Sequence, residues 1–132
     1  MKLSTKSRYG LRVCQMLAEN YGKIDTMPLP YIAESTSISE AYLEQIMITL
    51  KKDNIVGAVR GANGGYFLTR EPKDITIGEV IRSLEDGLEF IGCINNECED
   101  SGGCKTKNIW RKVYDGLNEL LDSMTLIDLI QE

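Results

Sequence analysis

The chain has 132 residues and a formal charge of −5, with a sequence pI near 4.8; a chain of this length builds a single core, which argues against a multidomain enzyme. Its 42% hydrophobic and 27% charged content is that of an ordinary globular protein and excludes global disorder. The acidity alone argues against a nucleic-acid partner, but it is unevenly spread: residues 1–75 carry ten Lys/Arg against eight Asp/Glu, and residues 76–132 five against twelve.

No stretch approaches the roughly 18 apolar residues of a membrane span, and no hydrophobic run opens the chain as a signal peptide would. A cytoplasmic protein without membrane contact is therefore expected. In that compartment the four cysteines read as thiols or metal ligands rather than disulfides. The absence of histidine excludes His-based catalysis and His-ligated metal sites.

In chain order, the first expected element is a helix beginning after Ser4 or Thr5, with Tyr9, Leu11, Val13, Cys14, Leu17, Ala18 and Tyr21 at mostly helical spacing and Gly22 as its stop. Its opening carries Lys2, Lys6, Arg8 and Arg12 with no acid before Glu19. That positive patch is either a solvated face or a phosphate contact. Pro28 to Thr36 reads as a short helix with Pro in its first turn. A four-residue turn follows, and Ser39 then caps a longer helix that runs to Lys52 and carries Tyr42, Leu43, Ile46, Met47 and Leu50. Short helix, tight turn and longer helix make a helix-turn-helix.

Beyond Asn54 the period changes. Ile55, Val56, Ala58 and Val59 form one β-type run and Tyr66, Phe67 and Leu68 another, with Arg60-Gly-Ala-Asn-Gly-Gly65 between them. Gly and Asn tolerate positive φ, so this is a hairpin tip, and a hairpin after a helix-turn-helix is a wing. Thr76 caps the next helix with Glu79 at capping-box spacing. Residues 87–105 lose periodicity and hold Cys93, Cys98 and Cys104. From Thr106 a long helix places Ile109, Val113, Leu117, Leu120, Leu121 and Met124 on one stripe, with Trp110 and Tyr114 beside it. Thr125 and Asp128 are placed to cap a final short helix.

The expected fold class is mostly α with a small β-hairpin wing. Residues 1–75 form a winged helix-turn-helix; residues 76–132 hold a sensor loop (87–105) and a dimerisation helix, the whole forming one compact unit. The stripe of the long helix is wide for a chain that already has a core, which favours a homodimer over packing within one chain.

On the second helix of the motif, Ser39, Tyr42 and Gln45 are free to point toward a groove of double-stranded DNA. Gln can bridge adenine N6 and N7, Ser and Tyr can bond phosphates, and Glu44 can accept from cytosine N4. Spacing alone equally describes a solvated helix face. Arg60 and the wing glycines supply charge and close backbone approach to phosphate.

Cys93, Cys98 and Cys104 form CxxxxC followed by CxxxxxC. Clustered thiolates favour zinc or an iron-sulfur cluster. Zinc sites usually use tighter pairs, whereas a cluster bridging two irons tolerates these gaps. Redox-reactive thiols are the alternative. Cys14, on the apolar stripe of the first helix, reads as a small buried thiol.

The segments MKLSTKSRYGLR, SEAYLEQ, VRGANGGYFL, ITIGEVIRSLE and ELLDSMTLIDL together resemble the winged-helix transcription regulators to which IscR, NsrR and CymR belong, over nearly the whole chain. The resemblance implies a homodimeric regulator, typically a repressor, with recognition helices in major grooves and wings in adjacent minor grooves of a pseudo-palindromic operator. By position Ser39, Tyr42, Glu44, Gln45, Arg60, Gly61 and Gly64 would touch DNA, and Lys6 and Arg8 join them from the basic opening. Ala41 stands where some relatives have a polar residue. Cluster-binding members hold a 2Fe-2S or 4Fe-4S centre with three loop cysteines, which correspond to Cys93, Cys98 and Cys104; the two-iron form is the one expected here.

The fourth ligand departs from the pattern. Lys107 stands where IscR has histidine, and Arg8 where NsrR-like members have aspartate. Glu97, Glu99, Asp100, Cys14 or an external thiol or water are left. CymR-like members lack a cluster and respond to thiol oxidation or a regulatory protein partner, which is the alternative function. A small thiol or metal-handling enzyme is less favoured, since the loop has no CxxC and no evident general base.

Overall fold

The computed structural model describes residues 3–85 and 106–131. Lys2 and the loop cysteines Cys93, Cys98 and Cys104 lie outside the described residues. Helix α1 spans Thr5–Glu19. Its N-cap is Ser4, whose hydroxyl accepts the Ser7 N–H at 3.2 Å, and beyond its end Gly22 takes φ +80°, as a residue without Cβ does readily. Helix α2 spans Leu29–Thr36 with Pro30 in its first turn. Ser37 reverses the chain at once with φ 59°, so the turn to α3 (Glu40–Lys52) is residues 37–39, one fewer than the spacing predicts. Ile38 is buried within it.

Strands β1 (Val56–Val59) and β2 (Gly65–Leu68) pair antiparallel, with Val56 opposite Leu68 and Val59 opposite Gly65. The wing has a third participant that the periodicity does not reveal. Met27 exchanges both backbone hydrogen bonds with Tyr66, each 2.9 Å, and Thr26 Oγ1 donates to the Asn63 carbonyl at 3.1 Å. The connection before α2 thus braces the hairpin along its length.

A 3₁₀ turn at Pro72–Asp74 leads to α4 (Ile77–Glu85), followed among the described residues by α5 (Thr106–Ser123) and α6 (Leu126–Gln131). Only half of the expected capping box forms. The Glu79 N–H donates to Thr76 Oγ1 at 3.0 Å, but the Glu79 carboxylate takes Arg70 at 2.7 Å, a stronger charge-assisted partner. At the start of α6 the Thr125 N–H donates to Asp128 at 2.9 Å and the Ile127 N–H to Thr125 at 3.2 Å, the cap expected there.

One core joins these elements: Val13, Ile32, Leu43, Ile46, Met47, Leu50, Val80 and Leu126 are fully buried in a single cluster. Each such side chain stabilises the fold by roughly 1.5–3 kcal/mol. Helix α6 is drawn in by two backbone bonds, Ile77 N–H to the Met124 carbonyl at 2.8 Å and Leu126 N–H to the Ile75 carbonyl at 3.0 Å. At the α1–α4 crossing a Cβ on Gly10 would lie 2.1 Å from Leu84 Cδ1, so a side chain there would force Leu84 to shift.

The apolar stripe of α5 resolves into two faces. Leu121 is buried, with Leu117 and Met124 packed beside it on the core. Ile109, Val113 and Leu120 are instead 56%, 45% and 56% exposed. At 100° per residue the six span an arc of about 120°, with Ile109, Leu120 and Val113 along one side of it and Met124, Leu117 and Leu121 along the side that meets the core. No described helix is long and apolar enough to cross a membrane.

Candidate nucleic-acid interface

Helix α3 divides cleanly. Leu43, Ile46, Met47 and Leu50 are buried, while Glu40, Ala41, Glu44, Gln45, Ile48, Lys51 and Lys52 are exposed. Ser39 caps the helix, its Oγ accepting the Tyr42 N–H at 3.2 Å; a serine hydroxyl in this role still has its own proton to donate. Tyr42 is half-buried and meets the Tyr9 ring edge to face, centroids 5.9 Å apart at 70°. The Arg12 guanidinium lies 5.9 Å from the Tyr9 centroid and donates to the Thr36 carbonyl at 3.0 Å. Arg12, part of the basic opening, therefore locks α1 onto the C-terminal end of α2, where a cation also suits the helix dipole.

Lys6 is engaged too. Its Nζ donates to Thr49 Oγ1 at 2.9 Å, and Thr49 passes the bond to the Gln45 carbonyl at 3.2 Å. The ammonium braces α3 against α1 and keeps two further donors. Arg8 is exposed and reaches only its neighbour Thr5, at 3.3 Å. Arg70, two residues beyond β2, turns away from the wing to Glu79 and the Asp74 carbonyl.

A groove of about 850 Å³ opens between α3 and the wing, lined by Glu44, Ile48, Lys51, Val59, Arg60 and Gly64 among others. The carboxylate of Glu44 faces Tyr66 across it: burial first, and then this negative charge, raise the Tyr66 pKa. At the wing tip Gly61 has φ +114°, and the Gly64 N–H closes a turn on the Gly61 carbonyl at 3.0 Å. A Cβ on Gly64 would lie 2.0 Å from the Val59 carbonyl oxygen. Arg60 is exposed at the same end. Glu44, Arg60, Gly61 and Gly64 thus share one groove, whereas Ser39, Tyr42 and Gln45 occupy the N-terminal half of α3 beside it, and Lys6 and Arg8 sit on α1.

Sequence reasoning overlooked Ile48 and Val59, 62% and 50% exposed in this groove. A signal existed for the first: Ile48 falls out of phase with the buried Leu43, Ile46, Met47 and Leu50. The bracing of the wing by Thr26 and Met27 carried no comparable signal.

Among the described residues no group of three His, Cys, Asp or Glu is placed to hold a metal. Cys14 is fully buried, and burial pushes its thiol pKa up to about 12. It stays a protonated core residue, which removes it from the candidate fourth ligands.

The fold and this face have known counterparts. The family model described as "Rrf2: Iron-dependent Transcriptional regulator" matches residues 3–132. The chain is 41% identical over 129 residues to the HTH-type transcriptional regulator CymR of Bacillus subtilis, covering 98% of this chain and 89% of the relative. The solved structure of T. potens IscR superposes with a TM-score of 0.79 at 41% identity, covering 99% of this chain and 87% of that one. The oxidised form of Staphylococcus aureus CymR superposes with a TM-score of 0.77 at 36% identity, covering 100% and 98%. With the match running through helix-turn-helix, wing and C-terminal helices alike, this chain belongs to the Rrf2 family of transcriptional regulators.

Proposed function

We propose that the protein is a homodimeric regulator that reads duplex DNA with α3 and the wing, and whose operator affinity is set by its three-cysteine loop. The observation that carries the DNA half is the exposed polar face of α3 opening onto the same groove as Arg60, Gly61 and Gly64. Ser39, Tyr42, Glu44 and Gln45 enter the major groove; Arg60 and the wing glycines approach the neighbouring backbone, and Lys6 and Arg8 meet phosphate from α1. Dimerisation is supported by the second apolar face of α5. Ile109, Val113, Gly116 and Leu120 follow 4-3-4 spacing, the seam of two paired helices, and none of the described residues would lie within 4 Å of a Cβ on Gly116.

For the sensor, Cys93, Cys98 and Cys104 are the donors for an iron-sulfur cluster, 2Fe-2S by their spacing. Three thiolates fit such a group. Arg8 and Lys107 are cations that do not ligate iron, and Cys14 is sealed in the core, so the fourth position falls to Glu97, Glu99, Asp100 or an external ligand. When bound, the cluster would supply a redox- and ligand-sensitive centre; the chain's own part is to tie its state to α3. A cluster-free thiol switch is the second reading, supported by the incomplete donor set and by the similarity to CymR, which has been solved in an oxidised form.

Anaerobic purification with iron and sulfide analysis separates the two. A coloured protein with about two irons per chain, whose operator affinity changes when the iron is removed, supports the cluster. An iron-free protein whose affinity responds to peroxide, and is insensitive to reconstitution, establishes the thiol switch.

A further inference from the structure

Ile48 is the most exposed large hydrophobic side chain among the described residues, at 62%, and it lies at the centre of the α3 face. Gln45 precedes it by three residues and Glu44 by four, Lys51 and Lys52 follow by three and four, so all are its neighbours on the helix surface. Across the groove Val59 presents a second exposed aliphatic side chain. Single exposed aliphatics are common and need no explanation. Two β-branched side chains facing one groove, rimmed by Lys51 and Arg60, are a different case. The basic rim suits phosphate and the groove is continuous with the DNA-reading face, while Glu44 is the one acid at its edge and can accept from a base amino group.

We propose that Ile48 is a specificity-determining residue that reads the C5 methyl of a thymine in the major groove, one helical turn beyond the base contacted by Gln45. Thymine is the base that offers an apolar group on that edge, and aliphatic side chains recognise it by excluding water from the methyl. This inference rests on the DNA-reading function proposed above. Burying one methyl corresponds to roughly a fourfold change in affinity per half-site and roughly fifteenfold for two.

The test uses duplexes selected from a random pool by the wild-type protein. Each thymine is replaced in turn by deoxyuracil, which removes the methyl and leaves every hydrogen-bonding atom in place. The wild type is expected to lose roughly fourfold per half-site at one thymine position. Ile48→Ala should bind the thymine duplex more weakly by the same factor and lose that uracil effect, while Ile48→Val, which keeps both γ-carbons and loses only the δ-methyl, should keep most of it. Thermal unfolding of each variant confirms that an exposed position leaves the fold intact. The inference is overturned if Ile48→Ala shows the wild-type uracil profile, if no uracil position affects the wild type, or if the variant loses only a protein partner and keeps its operator affinity. A wild type that enriches no sequence at all would instead overturn the DNA-reading function, and this inference with it.

Discussion

Arg60 and Gln45 are both exposed polar residues on the face proposed to read DNA, yet they differ in what a duplex would offer them. Arg60 stands at the wing beside glycines that bring backbone close to phosphate, so its contact is with charge and carries no sequence information. Arg60→Ala should weaken binding to every duplex and lower the slope of log affinity against log salt by about one per subunit. An unchanged slope in a salt titration would remove Arg60 from the interface. Gln45 lies on the open face of α3 with a bidentate amide, so Gln45→Ala should cost about 1–3 kcal/mol at one base pair and relax preference there alone. Competition with single-base operator variants measures it, and a uniform loss across all variants would contradict base reading. Residue types at these positions were legible without a structure because helical spacing separates 42, 44 and 45 from the core positions. The engagements of Lys6 with Thr49 and of Arg12 with Thr36 were not, since bonds across 43 and 24 positions of chain leave no periodic trace.

At the level of elements, α4 and α1 are joined by a carboxylate. Glu85, the last residue of α4, accepts from the Ser7 hydroxyl at 2.6 Å and from the Ser4 N–H at 2.7 Å, at the helix terminus where negative charge is favoured. These bonds, that from Ser7 foremost, hold the Glu85 pKa below its ordinary value. A depressed carboxylate pKa stabilises the fold fully above the unfolded value of about 4.3 and loses that contribution as pH falls through the folded value. Glu85→Gln should therefore cost about 1 kcal/mol near neutral pH and flatten the decline in Tm between about pH 5 and about pH 3. A variant whose Tm tracks the wild type throughout that range would show that the carboxylate does not secure α1. The same first turn of α1 carries Lys6, whose bond to Thr49 reaches α3. The first turn of α1 thus touches both the end of α4, through Ser4 and Ser7, and α3, through Lys6.

For the whole molecule, the exposed apolar face of α5 is left uncovered by the other described residues, which is what the proposed homodimer would use. Arg82 fixes the inner side of that helix, donating to both Asp122 oxygens at 2.7 and 2.9 Å and to Asn118 at 2.7 Å, and so holds Ile109, Val113 and Leu120 outward. Leu120→Glu should convert a dimer into a monomer by sedimentation and weaken operator binding about tenfold or more, as two linked half-sites become independent. A variant that sediments as the wild type does would place the dimer contact elsewhere. The acidic C-terminal half is compatible with the proposed arrangement, in which a sensor loop and dimer seam would not need to meet phosphate. The helix-turn-helix, the wing and the caps at Ser39, Thr76 and Thr125 were legible in the sequence, since each rests on contacts within a few residues, where periodicity and turn chemistry act, and the apolar stripe of α1 already marked Cys14 as buried. The division of α5 into a core face and an exposed face and the bracing of the wing by Met27 come from the tertiary structure. In each of these the environment comes from elements distant in the chain, and an apolar residue is buried or exposed according to what packs over it rather than its own preference.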